Sequence, residues 1–138
     1  MNAAVEGAWV PFETTLIFDW PTLPLSMNDR LHRRQHQQVN ASIRDATELA
    51  AELLPDLGRC KVTLVQVVTD RIRRDGINAN ATLKPMQDGL VRAGVVRDDT
   101  EQYMFSPQPV IEWRDKKAGH TPHFELHIER LPTTEASQ

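Results

Sequence analysis

Between positions 70 and 100 the chain sets basic side chains directly beside carboxylates. Arg71, Arg73 and Arg74 run into Asp75, Lys84 and Asp88 follow four residues apart, and Asp98-Asp99-Thr100 closes the stretch just past Gly94. Cleavage of a phosphodiester with the help of a divalent cation needs this mixture. Hard carboxylate oxygens hold the ion, water attacks opposite the leaving oxygen, and a cation offsets the charge that builds on the phosphate. Asp75, at the exit of an expected central strand, is placed to be the first carboxylate. Lys84 and Asp88 share a face of the helix that follows, and Asp98 and Asp99 come after it, able to fold back beside Asp75. Each part also has an ordinary reading. Lys84 and Asp88 can be an exposed helix pair worth about 0.3–0.5 kcal/mol. Asp98-Asp99-Thr100 can be a turn before Tyr103, the arginines a solvated connection, and Asn78 and Asn80 loop or cap residues.

The other reactive side chains carry less. His123 and His127 have the i, i+4 spacing of zinc ligands on a helix, but they fall in an expected strand, about 13 Å apart at ~3.3 Å per residue. Solvent-facing strand positions suit them better. Trp9, Trp20 and Trp113 are too scattered for a stacking platform. Cys60 is the only cysteine, which excludes an intramolecular disulfide and a CxxC redox motif and reads as structural.

The elements that must position these residues follow from pattern. A run of β-branched and aromatic residues over 14–20, stopped by Pro21, predicts a strand. Ile43, Ala46, Ala50, Leu53 and Leu54 recur at helical spacing, predicting a helix over 40–54 capped by Asn40 or Ser42 and ended by Pro55. The stretch 61–69 is apolar on both alternating faces and predicts a central strand covered on both sides. A second helix starts near 81–84, because Pro85 is harmless only in the first turn, and ends at Gly94 in the left-handed conformation. Residues 109–114 and 123–129 predict a hairpin, with Phe124, Leu126 and Ile128 facing the core. The order strand, helix, strand, helix, strand, strand gives an α/β or α+β class with a mixed sheet, as one domain over 1–138 whose ends, about 1–13 and 132–138, fray.

Composition bounds the rest. The 138 residues, 25% charged and 40% hydrophobic, suit one globular core. No apolar run is long enough to span a membrane, and the first fifteen residues hold no Lys or Arg, so neither a membrane partner nor a secretory signal is expected and a cytoplasmic setting is. The net charge of −3 is unevenly spread: positions 1–29 contain Glu6, Glu13, Asp19 and Asp29 without a base, whereas Arg30, Arg33 and Arg34 follow at once. Two arginine clusters on one face could hold a polyanion despite the acidic balance.

The ordered set of pieces resembles the RusA family of Holliday junction resolvases, phage-type members especially. The matching residues are Arg73-Arg74-Asp75-Gly76-Ile77-Asn78, then Thr82-Leu83-Lys84, Asp88-Gly89-Leu90, Ala93-Gly94 and Asp98-Asp99-Thr100, with Pro24-Leu25-Ser26-Met27-Asn28-Asp29-Arg30 similar to the family's Pro-rich leading segment. One departure stands out: Ile77 occupies the place of the family's second Asp.

The resemblance implies a homodimeric endonuclease, dependent on Mg²⁺ or Mn²⁺, that nicks four-way DNA junctions in a phage-infected or prophage-bearing bacterium. Asp75 and Asp99 would hold the metal with Asp98 adjacent, Asp88 would be a ligand or a clamp for Lys84, and Lys84 would be the cation near the scissile phosphate. Arg30, Arg33, Arg34, Arg71, Arg73, Arg74 and Asn78 would contact DNA, the arginines gripping backbone without reading bases. Two alternatives stay open: a branched-DNA-binding protein that has lost cleavage through Ile77, and a protein-interaction module on the same scaffold.

Overall fold

The stretch that is apolar on both faces becomes the middle of a sheet. In the computed structural model, which describes residues 10–133, the elements follow as β1 (Glu13–Phe18), α1 (Arg33–Ala50), β2 (Cys60–Val68), α2 (Asn80–Arg92), β3 (Met104–Phe105), β4 (Val110–Trp113) and β5 (His123–Arg130). Single 3₁₀ turns at Gly76–Ala79 and Lys116–Ala118 introduce α2 and divide β4 from β5. One edge of β2 pairs antiparallel with β5, whose far edge pairs antiparallel with β1. The other edge of β2 pairs in parallel with β3 and then β4. Parallel neighbours require a crossover, and α2 supplies it. The result is a mixed five-stranded sheet packed with two helices, a single α+β domain.

The expected hairpin at the C-terminal end does not form. Both of its strands exist, but β2 lies between them. A strand apolar on both faces gains most at the centre of a sheet, and its insertion puts β4 and β5 on opposite edges.

Register places the core on one face. Phe18 pairs with Phe124, Leu126 lies between Leu16 and Leu64, and Ile128 between Thr14 and Val62. Ile43 of α1 and Leu83, Met86 and Leu90 of α2 close over that face. The two helices approach closely at Gly89, where a Cβ would stand 2.5 Å from the Arg44 carbonyl oxygen and 2.8 Å from Thr47 Cβ. No larger residue fits without pushing the helices apart.

Helix α1 begins at Arg33, seven residues before the expected start. His32 caps it: the ring Nδ1 accepts the Arg34 N–H at 3.3 Å, and the Gln35 side chain accepts the His32 N–H at 3.3 Å. Its first turns are polar and exposed, so apolar spacing marks only where the helix meets the core. It also ends early, leaving Leu53 92% exposed. Helix α2 begins at Asn80, one residue before the earliest expected start, and carries Pro85 in its second turn. At its end Gly94 has φ +84°. Gly94 N–H donates to Val91 O at 3.0 Å and Val95 N–H to Leu90 O at 3.1 Å, the paired bonds of a Schellman turn.

The leading segment docks on α2: Leu25 N–H donates to Thr82 Oγ1 at 3.2 Å, and the Thr82 hydroxyl donates to Leu25 O at 2.6 Å. Of the ends expected to fray, 1–9 and 134–138 lie outside the described residues. Residues 10–13 are tied down, because Arg130 donates to Phe12 O at 2.8 Å and Val10 O at 3.0 Å. Among the described residues no helix is long and apolar enough to cross a membrane.

Candidate functional site

Helix α2 presents Lys84 and Asp88 one turn apart, and the turn at Gly94 sends the chain back so that Asp99 reaches both. Lys84 Nζ lies 3.5 Å from Asp88 Oδ1 and forms a closer ion pair with Asp99 Oδ2. Asp98 orders the corner, its Oδ1 accepting the Asp99 N–H at 2.8 Å. Asp88, Asp98 and Asp99 line one groove with Arg44 and Arg92. The hydrogen bond from Lys84 holds the Asp99 carboxyl below the usual carboxylate range, and the same bond raises the Lys84 ammonium above its ordinary value. Lys84 nonetheless remains 61% exposed at its side chain, so this charge pair faces solvent.

Asp75 stands apart from this group. It caps the 3₁₀ turn, its Oδ1 accepting the Ile77 N–H at 3.1 Å, and among the described residues it makes no ion pair. Asp98 and Asp99 fold back beside Lys84 and Asp88. Asn78 lies in the same 3₁₀ turn, its N–H donating to Asp75 O at 3.2 Å and its carbonyl accepting from Met27 at 3.1 Å.

Among the described residues no three His, Cys, Asp or Glu side chains form a ready group for a metal ion. Mg²⁺ is ordinarily held by one or two carboxylates, with water and substrate phosphate completing its shell. Asp88 and Asp99, both bonded to one ammonium, offer hard oxygens of that kind. The donor chemistry fits Mg²⁺ or Mn²⁺ at those two residues.

The arginines divide into three situations. Arg74 is consumed by Asp70, with contacts of 2.6 and 3.0 Å, and that pairing lowers the Asp70 carboxyl and raises the Arg74 guanidinium. Arg71 lies over the Trp113 ring, 3.8 Å from its centre. Arg30 in the leading loop, Arg33 and Arg34 in the first turn of α1, and Arg73 after β2 are exposed and lack a carboxylate partner among the described residues.

A second charged cluster escaped sequence reasoning. The alternation that turns Phe124, Leu126 and Ile128 to the core leaves Glu125 on the opposite face of β5, yet it is 6% exposed. It accepts from Arg114 Nη1 and Nη2 at 2.8 and 3.2 Å and from His123 and His127 Nε2 at 2.7 and 2.8 Å. Glu112 also pairs with Arg114. The two histidines thus converge on one carboxylate although their backbones are far apart. His123 Nδ1 additionally sits 2.7 Å from Thr121 O, so both ring nitrogens face oxygens. The available signal was the His-Phe-Glu-Leu-His alternation with Arg114 one strand away. Burial pushes the Cys60 thiol up to about 12, which agrees with a structural cysteine. Trp20 packs on Phe18, ring centres 4.7 Å apart, as a core residue, while Trp9 lies outside the described residues.

No protein-family model matches this chain, and no match was found among curated proteins. Fold and site together define a small α+β domain bearing an exposed lysine–aspartate cluster beside a helix end.

Proposed function

We propose that this protein is a divalent-metal-dependent endodeoxyribonuclease acting on branched DNA, the four-way junction above all, and working as a homodimer inside a phage-infected or prophage-bearing bacterium. One observation carries the reading: Lys84 bridges Asp88 and Asp99, so three separated pieces of the resemblance meet in space. In this reading Asp99 and Asp88 would hold Mg²⁺ or Mn²⁺, which when bound would supply the charge needed to make a water nucleophilic. Lys84 supplies positive charge to the phosphate oxygens, and Asp98 fixes the corner that carries Asp99. Arg30, Arg33, Arg34, Arg71 and Arg73 hold DNA backbone, so affinity falls steeply with salt.

The test is cleavage of a labelled four-way junction in Mg²⁺ beside a linear duplex. Paired nicks on the junction alone, reduced about 10²-fold or more by Asp99→Asn, support the reading. Cleavage that survives EDTA, or that Asp99→Asn leaves unchanged, overturns it.

A second reading is supported by Ile77, which is exposed in the place where the resemblance has an acid. The protein would then bind branched DNA without cutting it, equally well in EDTA and in Mg²⁺. Loss of junction binding on metal removal counts against that version.

A further inference from the structure

A different groove opens at the other end of β2 from the Arg71–Arg74 segment. Arg59 immediately precedes β2, Arg97 sits on the loop after α2, and with Asp56, Gln102, Tyr103 and Thr133 they line a groove of about 370 Å³. Neither arginine has a carboxylate partner among the described residues. Arg59 Nε is buried and has no hydrogen-bond partner among the described residues, a costly arrangement for a charged donor. Arg97 lies over Tyr103, its guanidinium carbon 5.9 Å from the ring centre. Arg130, bonded to the carbonyl oxygens of Val10 and Asp56, lines a neighbouring groove with Glu13 and Glu129. Asp56 is the one acid in the lining, and its Oδ1 already accepts the Gly58 N–H at 2.9 Å. Two guanidiniums, Arg59 and Arg97, thus face one carboxylate in the lining.

The walls are also fixed. Leu57 N–H donates to Val95 O at 2.7 Å, Cys60 N–H to Tyr103 O at 2.9 Å and Leu131 N–H to Arg59 O at 2.8 Å. These bonds tie three separate segments of chain around the groove, so its donors are held in place before anything binds.

We infer that this groove binds a phosphate group. Its cationic side chains are arginines, whose planar forks match phosphate oxygens, and Gln102, Tyr103 and Thr133 can donate further hydrogen bonds. An anion here would pair with two guanidiniums that have no carboxylate partner among the described residues. The site is separate from the lysine–aspartate cluster: Arg97 and Asp99 share a loop but line different grooves. Phosphate binding here requires neither a metal nor Asp99, so it stands or falls independently of the cleavage reading.

The experiment is a titration of the isotopically labelled full chain with inorganic phosphate in EDTA, against sodium chloride at matched ionic strength, followed by nuclear magnetic resonance. The expected result is a saturable shift confined to residues 59, 97, 102 and 103. Arg97→Gln, at an exposed position, should weaken it about tenfold with the rest of the spectrum unchanged, and Arg59→Lys should do the same. Absence of a saturable shift through the millimolar range overturns the inference, as does equal affinity in both variants. Competition by a 5′-phosphorylated oligonucleotide but not its 5′-hydroxyl form assigns the bound group to a strand end. Competition by both assigns it to the strand backbone.

Discussion

The cluster on α2 and the cluster on β5 are built from the same ingredients and stand in opposite states. Glu125 is buried and saturated, with four N–H groups from three cationic or imidazole side chains on its two oxygens. Lys84, Asp88 and Asp99 sit at the surface, and one mobile ammonium is shared between two carboxylates. The better-bonded group is the less available one. Every lone pair of Glu125 is committed, so a ligand there must break a network before it gains anything. The network lies beside apolar neighbours: Val65 and Val67 of β2 are only 4% and 1% exposed, and they pair across the sheet with Glu125 and His123. A dense set of ion pairs marks structure in this molecule, and a sparse one marks the candidate for chemistry.

The largest expected effect tests the structural half of that contrast. Arg114→Ala removes two of the four donors and leaves Glu125 buried with the histidines alone. Breaking a buried pair from one side typically costs ~3 kcal/mol or more. Urea unfolding should show a loss of that order, and a loss below about 1 kcal/mol would mean that the cluster is only decoration on the sheet.

Acid titration follows in size. The Arg114 hydrogen bonds, joined by those of the two histidines, lower the Glu125 carboxyl from 4.5 to about 2 against the opposing effect of burial. A carboxyl depressed on folding contributes its stability in full above its unfolded value and loses it as pH falls from about 4.5 through about 2. The shift corresponds to roughly 3 kcal/mol. Stability of the protein should therefore fall across that window, and Glu125→Gln should flatten much of the slope while lowering the plateau above it. An unchanged slope in that variant breaks the assignment.

The sequence made one of these clusters legible and hid the other, for a physical reason. Lys84 and Asp88 declare themselves by helical spacing within one element, and Gly94 announces the turn that returns Asp99. The pairing of Arg114 with Glu125 is set by which strands are neighbours. That order was misread as a hairpin because 109–114 and 123–129 are adjacent in sequence, whereas the preference of β2 for the centre is a tertiary effect. The class of fold, the central strand and the core face of β5 were all readable from periodicity. The start of α1 was not, because a capping box of His32 and Gln35 is built from residues that look like loop. Asp75 was grouped with Asp99 through the resemblance, whereas the cap it makes on the 3₁₀ turn, accepting the Ile77 N–H, is a local role that its neighbours in sequence hint at.

The smallest effect on stability should accompany a large effect on function. Lys84→Met keeps the length and the apolar stem of the side chain and removes only the charge. At 61% exposure, losing its pairs with Asp88 and Asp99 should cost under about 1 kcal/mol, so urea unfolding should barely move. Asp99 then loses the bond that depresses it and returns toward the ordinary carboxylate range. Under the nuclease reading, junction cleavage should fall about 10²-fold, because the phosphate loses its nearby cation, while junction binding through the arginines persists. If Lys84→Met instead unfolds the protein as readily as Arg114→Ala, the two clusters are of one kind. The contrast that singles out α2 as the place for chemistry is then lost.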